Sequence, residues 1–162
     1  MVRTPGFHPG NRSSILLRGA TVMIIVDIFG QIKNKKRIRE YAEDSLTYLL
    51  PPVTEDIFID ITFKKSLDND MLGYCLGDSN SSEIEIAKTF NNEKLSMDDM
   101  MLSLAHELIH AKQFIRGELS PSNSNWKGTI HEETIYSKRP WEKQAYLFED
   151  LIFNTFWKNL HK

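Results

Sequence analysis

The sequence predicts an α+β fold in which a small mixed or antiparallel sheet packs on helices. Two observations lead to this prediction. Several short segments alternate apolar and polar residues as strands do, and three longer segments repeat apolar residues at helical spacing. Their order is strand, helix, three strands and two helices. The chain has 162 residues, which suits one domain with its own core. We expect a flexible arm over residues 1–14 and a single domain over residues 15–162.

The first half of the chain contains two predicted strands and a predicted helix. A run rich in β-branched residues predicts one strand over residues ~15–29. Residues ~32–50 repeat apolar side chains three and four positions apart, and Pro51 and Pro52 end this helical pattern. Isoleucines at every second position then predict a strand over residues ~55–64.

Two shorter strand signals follow before the next helix. Residues 72–76 form a short apolar segment that ends at Gly77, and residues 83–89 begin with charged and apolar residues in alternation. The charged side of the second segment suits the edge of a sheet. At such an edge, Ile84, Ile86 and their exposed backbone could align an extended peptide by strand addition.

Two long helices complete the predicted fold. Ser96 and Asp99 form a capping-box pattern that starts the first of them, and Gly117 is a natural stop. A stretch rich in loop-forming residues comes next. Pro140 suits the first turn of the last helix, which we expect to run to about Asn159.

Composition and charge narrow the class of protein. Twenty basic and 22 acidic residues give a net charge of −2, so the chain lacks the basic excess of proteins that bind nucleic acid through bulk charge. The basic cluster from Lys33 to Arg39 keeps nucleic acid as an alternative partner, but the solvated face of an amphipathic helix explains it more simply. The single cysteine, Cys75, excludes an intramolecular disulfide and a multi-cysteine zinc site, which favours a reducing, cytoplasmic setting. The longest apolar run near the start, residues 22–29, is far too short to span a bilayer, so we expect no membrane partner.

The motif that carries chemistry lies inside the first of the two long helices. His106, Glu107 and His110 occupy the fixed positions of the pattern H-E-x-x-H. Because a helix turns once in about 3.6 residues, the two histidines project from one face, one turn apart, and can bind one Zn²⁺ ion. Glu107 projects about 100° away from His106, where it can act as the general base on a water at the metal.

A catalytic zinc site needs a third protein ligand and an open position. The extended motif, with a glycine and a third histidine further along the helix, fails because Gln113 and Arg116 stand at those places. The downstream candidates for the third ligand are His131, Glu132, Glu133, Glu142 and Glu149. We favour Glu142, in the first turn of the last helix, because the small Ala145 lets that helix approach closely. His131 is the next candidate, since imidazole is a common zinc ligand.

Together these residues resemble a known family. The pattern from His106 to His110, followed by Glu142, resembles the minimal gluzincin metallopeptidases, and the segment 140–145 is similar to small phage and bacterial proteins related to the SprT-like and ImmA/IrrE groups. The resemblance covers about residues 82–150. It implies a zincin-like fold, a zinc ion, a glutamate base and a peptide substrate lying antiparallel along the edge strand. The chain departs from SprT-like proteins proper, whose third ligand is a histidine in a longer motif and which often carry a zinc ribbon that one cysteine does not permit.

The predicted function is therefore zinc-dependent hydrolysis of peptide bonds in a peptide or protein substrate, with Glu107 moving the proton. Tyr136 and His131, in the loop before Glu142, are candidates to stabilise the oxyanion. The candidates to orient the two imidazoles are Ser103, Asn91 and Glu149. Two alternatives stand beside this prediction: a zinc-bound module that binds without cleaving, and a nucleic-acid-associated protein that uses the basic cluster. The sequence leaves open the substrate, the cleavage specificity and the oligomeric state.

Overall fold

The computed structural model describes residues 13–17, 20–132 and 134–159 and confirms the α+β class. Helices α1 and α2 pack on one face of a five-stranded sheet, and α3 packs on α2. The main elements are β1 (Ser13–Leu17), β2 (Ala20–Phe29), α1 (Lys35–Leu49), β3 (Ile57–Lys64), β4 (Gly73–Gly77), β5 (Ser81–Ala87), α2 (Met97–Ile115) and α3 (Pro140–Ile152). Two small hairpins flank α2, the first made of Thr89–Phe90 and Glu93–Lys94 and the second of Asn125–Trp126 and Thr129–Ile130.

The sheet has the strand order β1-β2-β3-β5-β4. Its three central strands, β2, β3 and β5, are parallel, and β1 and β4 pair antiparallel at the two edges. The assignment of residues 83–89 to an edge strand is therefore wrong, because β5 lies between β3 and β4 and its Ile84 pairs with Cys75 of β4. Apolar and charged residues alternate in β5 because the helices that the structure describes cover one face of the sheet and not the other. On the opposite face Glu85 binds Lys64 of β3, with Oε1 2.6 Å from Nζ.

The N-terminal segment forms two strands rather than the single strand predicted over residues 15–29. Strands β1 and β2 run antiparallel, and Leu17 pairs with Ala20, so the chain reverses direction within the predicted strand. The prediction passed over a signal in the sequence, because Gly19, a common turn residue, interrupts the apolar run between Leu17 and Ala20. The predicted flexible arm falls largely outside the described residues, and its last two positions, Ser13 and Ser14, begin β1.

The basic cluster at the start of α1 is divided between the interior and the surface. Arg37 donates from Nη2 to the carbonyl oxygen of Trp157 at 2.9 Å, and its guanidinium lies 3.4 Å from the centre of the Trp157 ring. Arg39 donates from Nε to the carbonyl oxygen of Val26 at 2.9 Å. The exposed members are Lys33, Lys35 and Lys36. Both arginines thus hold α1 in place, and the three lysines are the members of the cluster that form a solvated face.

Helix α2 has the termini that the sequence predicts. The Ser96 side chain accepts a hydrogen bond from the backbone of Asp99, and the Asp99 side chain accepts one from the backbone of Ser96. At the other end Gly117 has a φ of +69°, and two backbone bonds close a Schellman turn, from Gly117 to Phe114 and from Glu118 to Gln113. Both ends of the helix that carries the H-E-x-x-H motif are thereby fixed by local interactions.

Helix α3 begins with Pro140 in its first turn, as predicted. Its α-helical part ends at Ile152, and a π-helical segment, Phe153–Lys158, continues to where the predicted helix ends. Trp141 and Ala145 are buried where α3 meets α2, and the small side chain at 145 permits close approach. Across the described part of the chain, every helix is too short or too polar to cross a membrane.

Candidate metal centre

The two motif histidines lie side by side on the buried face of α2. His106 and His110 are one turn apart in the middle of this helix, and each exposes less than a tenth of its surface. Glu142, in the first turn of α3, is equally buried and points at both imidazoles. Among the residues that the structure describes, these three form the cluster able to hold a metal ion.

The distances within this cluster match those between the ligands of a tetrahedral ion. The two Nε2 atoms are 3.2 Å apart, and the Glu142 oxygens lie 3.0 Å from Nε2 of His106 and 3.1 Å from Nε2 of His110. Ligands at ~2.0–2.1 Å from a tetrahedral Zn²⁺ are separated from each other by about 3.3 Å. Two nitrogens and one carboxylate oxygen are also a common donor set for zinc. The residues therefore fit a metal ion of this kind.

A second layer of side chains fixes the orientation of each imidazole. Nδ1 of His106 lies 2.7 Å from Oε2 of Glu149, and Nδ1 of His110 lies 2.8 Å from Oε1 of Gln113. Because a carboxylate or amide oxygen can only accept, Nδ1 carries the proton in both rings. Both Nε2 atoms face the point shared with Glu142, which is the arrangement that metal-binding histidines require.

Gln113 is the residue at this site that the sequence did not reveal. It is fully buried, and its Nε2 donates to the carbonyl oxygen of Trp141 at 2.9 Å and to Oε1 of Gln144 at 3.0 Å. These two acceptors in α3, together with the donor His110 in α2, fix the orientation of the amide. The available signal was its position three residues after His110, on the same face of α2. Of the predicted orienting residues, Glu149 contacts an imidazole.

The other two predicted orienting residues have different surroundings. The Ser103 hydroxyl donates to the backbone oxygen of Asp99 at 3.1 Å, one turn earlier in α2. Asn91 lies in the turn of the small hairpin before α2, with a φ of +49°. Neither is a partner of the two histidines among the contacts that the structure shows.

The charges in the cluster are strongly coupled. Burial disfavours the charged form of His106, but hydrogen bonds with Glu142 and Glu149 outweigh it and raise the pKa of His106 to about 10. Burial also opposes the charge of Glu142, yet the two imidazoles lower its pKa to about 2. For His110, burial again opposes protonation, and Glu142 raises the pKa overall. The shifts share one cause: the buried carboxylate of Glu142 favours positive charge at the two imidazoles, and a bound cation would supply such a charge.

Glu107 lies beside this cluster, under the edge strand β4. Burial raises the pKa of Glu107, while His110 and His106 partly offset that increase. The strand can cover the carboxylate because residue 73 is a glycine: a Cβ built on Gly73 would lie 2.7 Å from Oε1 of Glu107. A buried carboxylate of raised pKa, held next to a metal site, is suited to accept and return a proton.

A cleft of about 500 Å³ opens on one side of the cluster. One wall is formed by residues 70–73, at the start of β4, and another by α2 with His106 and Glu107. The third wall carries Tyr136 and Tyr146. The Tyr146 ring meets the His106 ring edge-on, with 4.6 Å between the ring centroids. A substrate in this cleft would therefore touch the cluster and Glu107 together.

The structure separates the two candidates for oxyanion stabilisation. The Tyr136 hydroxyl donates to Glu142, and burial together with that carboxylate raises the pKa of Tyr136, so it stays a proton donor. The ring of His131 instead packs edge-on against Trp141, with 5.8 Å between centroids, and lies outside the ligand cluster and the cleft lining. The structure thus brings Tyr136 and Glu142 to the site, and not His131. Of the remaining ligand candidates, Glu132 is not in the cluster and Glu133 is outside the described residues.

Comparison with known proteins adds no relative. No protein-family model, curated protein or solved structure matches the chain. The likeness to the SprT-like and ImmA/IrrE groups therefore depends on the motif residues alone. What the structure adds is the convergence of His106, His110 and Glu142, which is compatible with a zinc site.

Proposed function

We propose that this protein is a zinc-dependent metallopeptidase. The observation that carries the proposal is the convergence of His106, His110 and Glu142 at metal-ligand separations, with Glu107 buried beside them on the wall of one cleft. When bound, a zinc ion would polarise the scissile carbonyl and lower the pKa of a water in the cleft. Buried carboxylates and imidazoles converging on one point, beside a substrate-sized cleft, are typical of active sites.

Each side chain has a role that follows from its place. Glu107 takes a proton from the attacking water and delivers it to the leaving amine, since it lines the cleft and its pKa is raised by burial. Tyr136 donates a hydrogen bond to the oxyanion, because its hydroxyl already points at the metal-ligand cluster. Glu149 and Gln113 keep the two imidazoles in the orientation that binds metal.

The substrate would lie along β4 rather than β5. Strand β4 is the edge of the sheet on this side, and the residues at its start form one wall of the cleft. An extended peptide that pairs with this edge passes His106 and Glu107 on the neighbouring wall. The close packing of Gly73 on Glu107 then places the scissile bond near the base.

Metal analysis is the first part of the test. Purified protein should bind one zinc ion, Glu142→Ala should lose it, and His131→Ala should keep it, since His131 lies outside the cluster. A Glu142→Ala protein with full zinc occupancy would remove Glu142 from the site. The second part is cleavage of an unstructured protein such as casein by the zinc-loaded chain.

Glu107→Gln then separates chemistry from metal binding. This variant should retain zinc and lose cleavage, whereas Glu40→Gln, at an exposed position of α1, should keep both. Cleavage that survives Glu107→Gln would mean another base or a contaminating protease. A zinc-loaded wild type that cleaves no unstructured substrate would favour the binding module. If the protein shifted the mobility of a nucleic acid, and neutralising the three exposed lysines of the basic cluster abolished that shift, the nucleic-acid alternative would be favoured.

A further inference from the structure

The cleft beside the metal-ligand cluster has a chemical character that bears on the substrate. Its apolar surface comes from Met71, Leu72 and Leu102, and two tyrosine rings extend it. Its volume of about 500 Å³ falls within the ~300–1,000 Å³ of small-molecule sites, so it can enclose a long side chain. The walls thus favour methylene groups along most of their length.

The charged groups in the same lining are three carboxylates and the imidazole of His106, which belongs to the metal-ligand cluster. Asp70, Glu107 and Glu149 are carboxylates, and within the described part of the chain no lysine or arginine lines this cleft. Two of the three already have partners in the site: Glu149 accepts from His106, and Glu107 packs under Gly73 next to the cluster. An acidic substrate side chain whose charged end lies at Asp70 would therefore meet like charge.

Asp70 is the carboxylate that is left for a ligand. It is exposed at the cleft wall, and among the described residues none forms a hydrogen bond or ion pair with its side chain. Asp70 stands three residues before Gly73, the first residue of β4. A peptide that pairs with β4 would therefore pass Asp70 near the metal-ligand cluster. Among the carboxylates of this lining, Asp70 is thus the exposed one that no described residue binds through a hydrogen bond or an ion pair.

We propose that this cleft is a subsite for a lysine or arginine side chain of the substrate, with Asp70 as the residue that selects it. The inference rests on the proposed peptidase function. The methylene stem of either side chain covers the apolar wall while its charged end reaches Asp70. A purely apolar side chain would fill the wall and leave the carboxylate without a partner, and an acidic one would be repelled. Asp70 is a specificity residue and takes no part in proton transfer.

The test compares three peptides that are identical except for lysine, norleucine or glutamate at one position, moved stepwise along the sequence. Binding to zinc-loaded Glu107→Gln protein is measured by fluorescence anisotropy, so the readout does not require cleavage. At one position lysine should bind roughly fivefold more tightly than norleucine, as an exposed ion pair allows, and glutamate more weakly than both. Asp70→Asn in the same background should abolish the lysine preference, and Asp70→Lys should reverse it towards glutamate.

Asp68→Asn is the matched control, because Asp68 is exposed in the same short turn but does not line the cleft. It should keep the full lysine preference. Equal binding of the three peptides at every position, or a lysine preference that survives Asp70→Asn, would overturn the inference. The same peptides with the zinc-loaded wild type report on the proposed function separately. Selective binding without any cleavage would refute the peptidase function and leave the subsite intact. Cleavage without a charge preference would support the peptidase function and refute the subsite.

Discussion

Replacing Gly73 by alanine adds one methyl group against the proposed base. The new Cβ would lie 2.7 Å from Oε1 of Glu107, 2.9 Å from its Cγ and 3.1 Å from its Cδ. Ordinary contact begins at 3.4 Å, so the carboxylate must move by about 0.7 Å. Because Glu107 is buried under β4, the open space next to its carboxylate is the cleft that it lines, and a move into that space changes its position relative to the metal-ligand cluster. The substitution therefore displaces the base while it leaves the metal ligands in place.

The size of the effect follows from this displacement. Misplacing a reacting group by 1 Å can lower a rate by about 100-fold, so Gly73→Ala should lower kcat by roughly 10- to 100-fold. Overpacking of this kind destabilises a protein by about 1–3 kcal/mol. We expect one bound zinc per chain, unchanged, because the three atoms nearest to the new methyl group all belong to Glu107 and none to a metal ligand. The assay is steady-state cleavage of a peptide together with zinc analysis and urea unfolding.

Gly77→Ala, at the other end of β4, is the matched control. Its Cβ would lie 2.4 Å from Oγ of Ser82 and 3.0 Å from the Phe114 ring, far from Glu107 in the fold. It should lower the free energy of unfolding without a comparable loss of kcat. Two results would contradict this reasoning: full kcat in Gly73→Ala, or the same fractional loss of kcat in both variants. Either would show that position 73 does not require glycine because of its contact with Glu107.

Four further predictions follow from contacts described above. Gln113→Leu should weaken zinc binding by about 10- to 100-fold in a chelator competition, because His110 loses its orienting partner; unchanged affinity would show that Gln113 is only a packing residue. Zinc binding at pH 7 should release about one proton, measured by calorimetry in buffers of different ionisation enthalpy, because the pKa of His106 is raised to about 10 and the metal displaces its proton. Because the pKa of His106 is raised, this residue contributes fully to the stability of the metal-free protein below pH 6.5, and the contribution is lost as the pH rises to about 10. Urea unfolding at several pH values measures this loss. A free energy of unfolding that stays constant over this pH range would contradict the raised pKa. Ser96→Ala should lower the free energy of unfolding by about 1 kcal/mol, since α2 loses its N-terminal cap, and an unchanged urea midpoint would argue against that bond.

Features that depend on spacing along one helix could be predicted from the sequence. The cap at Ser96, the stop at Gly117 and the shared face of His106 and His110 are all local, and each is present in the structure. Glu142 could be selected because a proline-started helix with small residues can approach another helix closely, and the structure places it at both imidazoles. For the cap, the stop and the histidine pair, the chain within about one turn decides the geometry, whereas the position of Glu142 also requires that α3 packs on α2.

Features that depend on which segments become neighbours could not be predicted. The alternation in β5 is the same whether its charges face an edge or the uncovered side of a sheet, so the edge position of β4 emerges only from the strand order. Gln113 reads as an ordinary helix residue until α3 places the carbonyl of Trp141 and the amide of Gln144 against it. The reversal between Leu17 and Ala20 is a different case, because Gly19 interrupts the apolar run there and offered a turn signal in the sequence.

The origin of the ligands in two different helices links metal supply to the folded state. His106 and His110 belong to α2 and Glu142 to α3, so an ion that binds all three ties the helices together like a cross-link. A ligand that binds only the folded chain raises the free energy of unfolding by about 4.1 kcal/mol at a free concentration 1,000 times its Kd. Removal of the ion would then weaken the contact between α2 and α3 that buries Trp141 and Ala145. In such a protein the concentration of free zinc governs how long the chain survives unfolding and proteolysis, independently of any reaction that it catalyses.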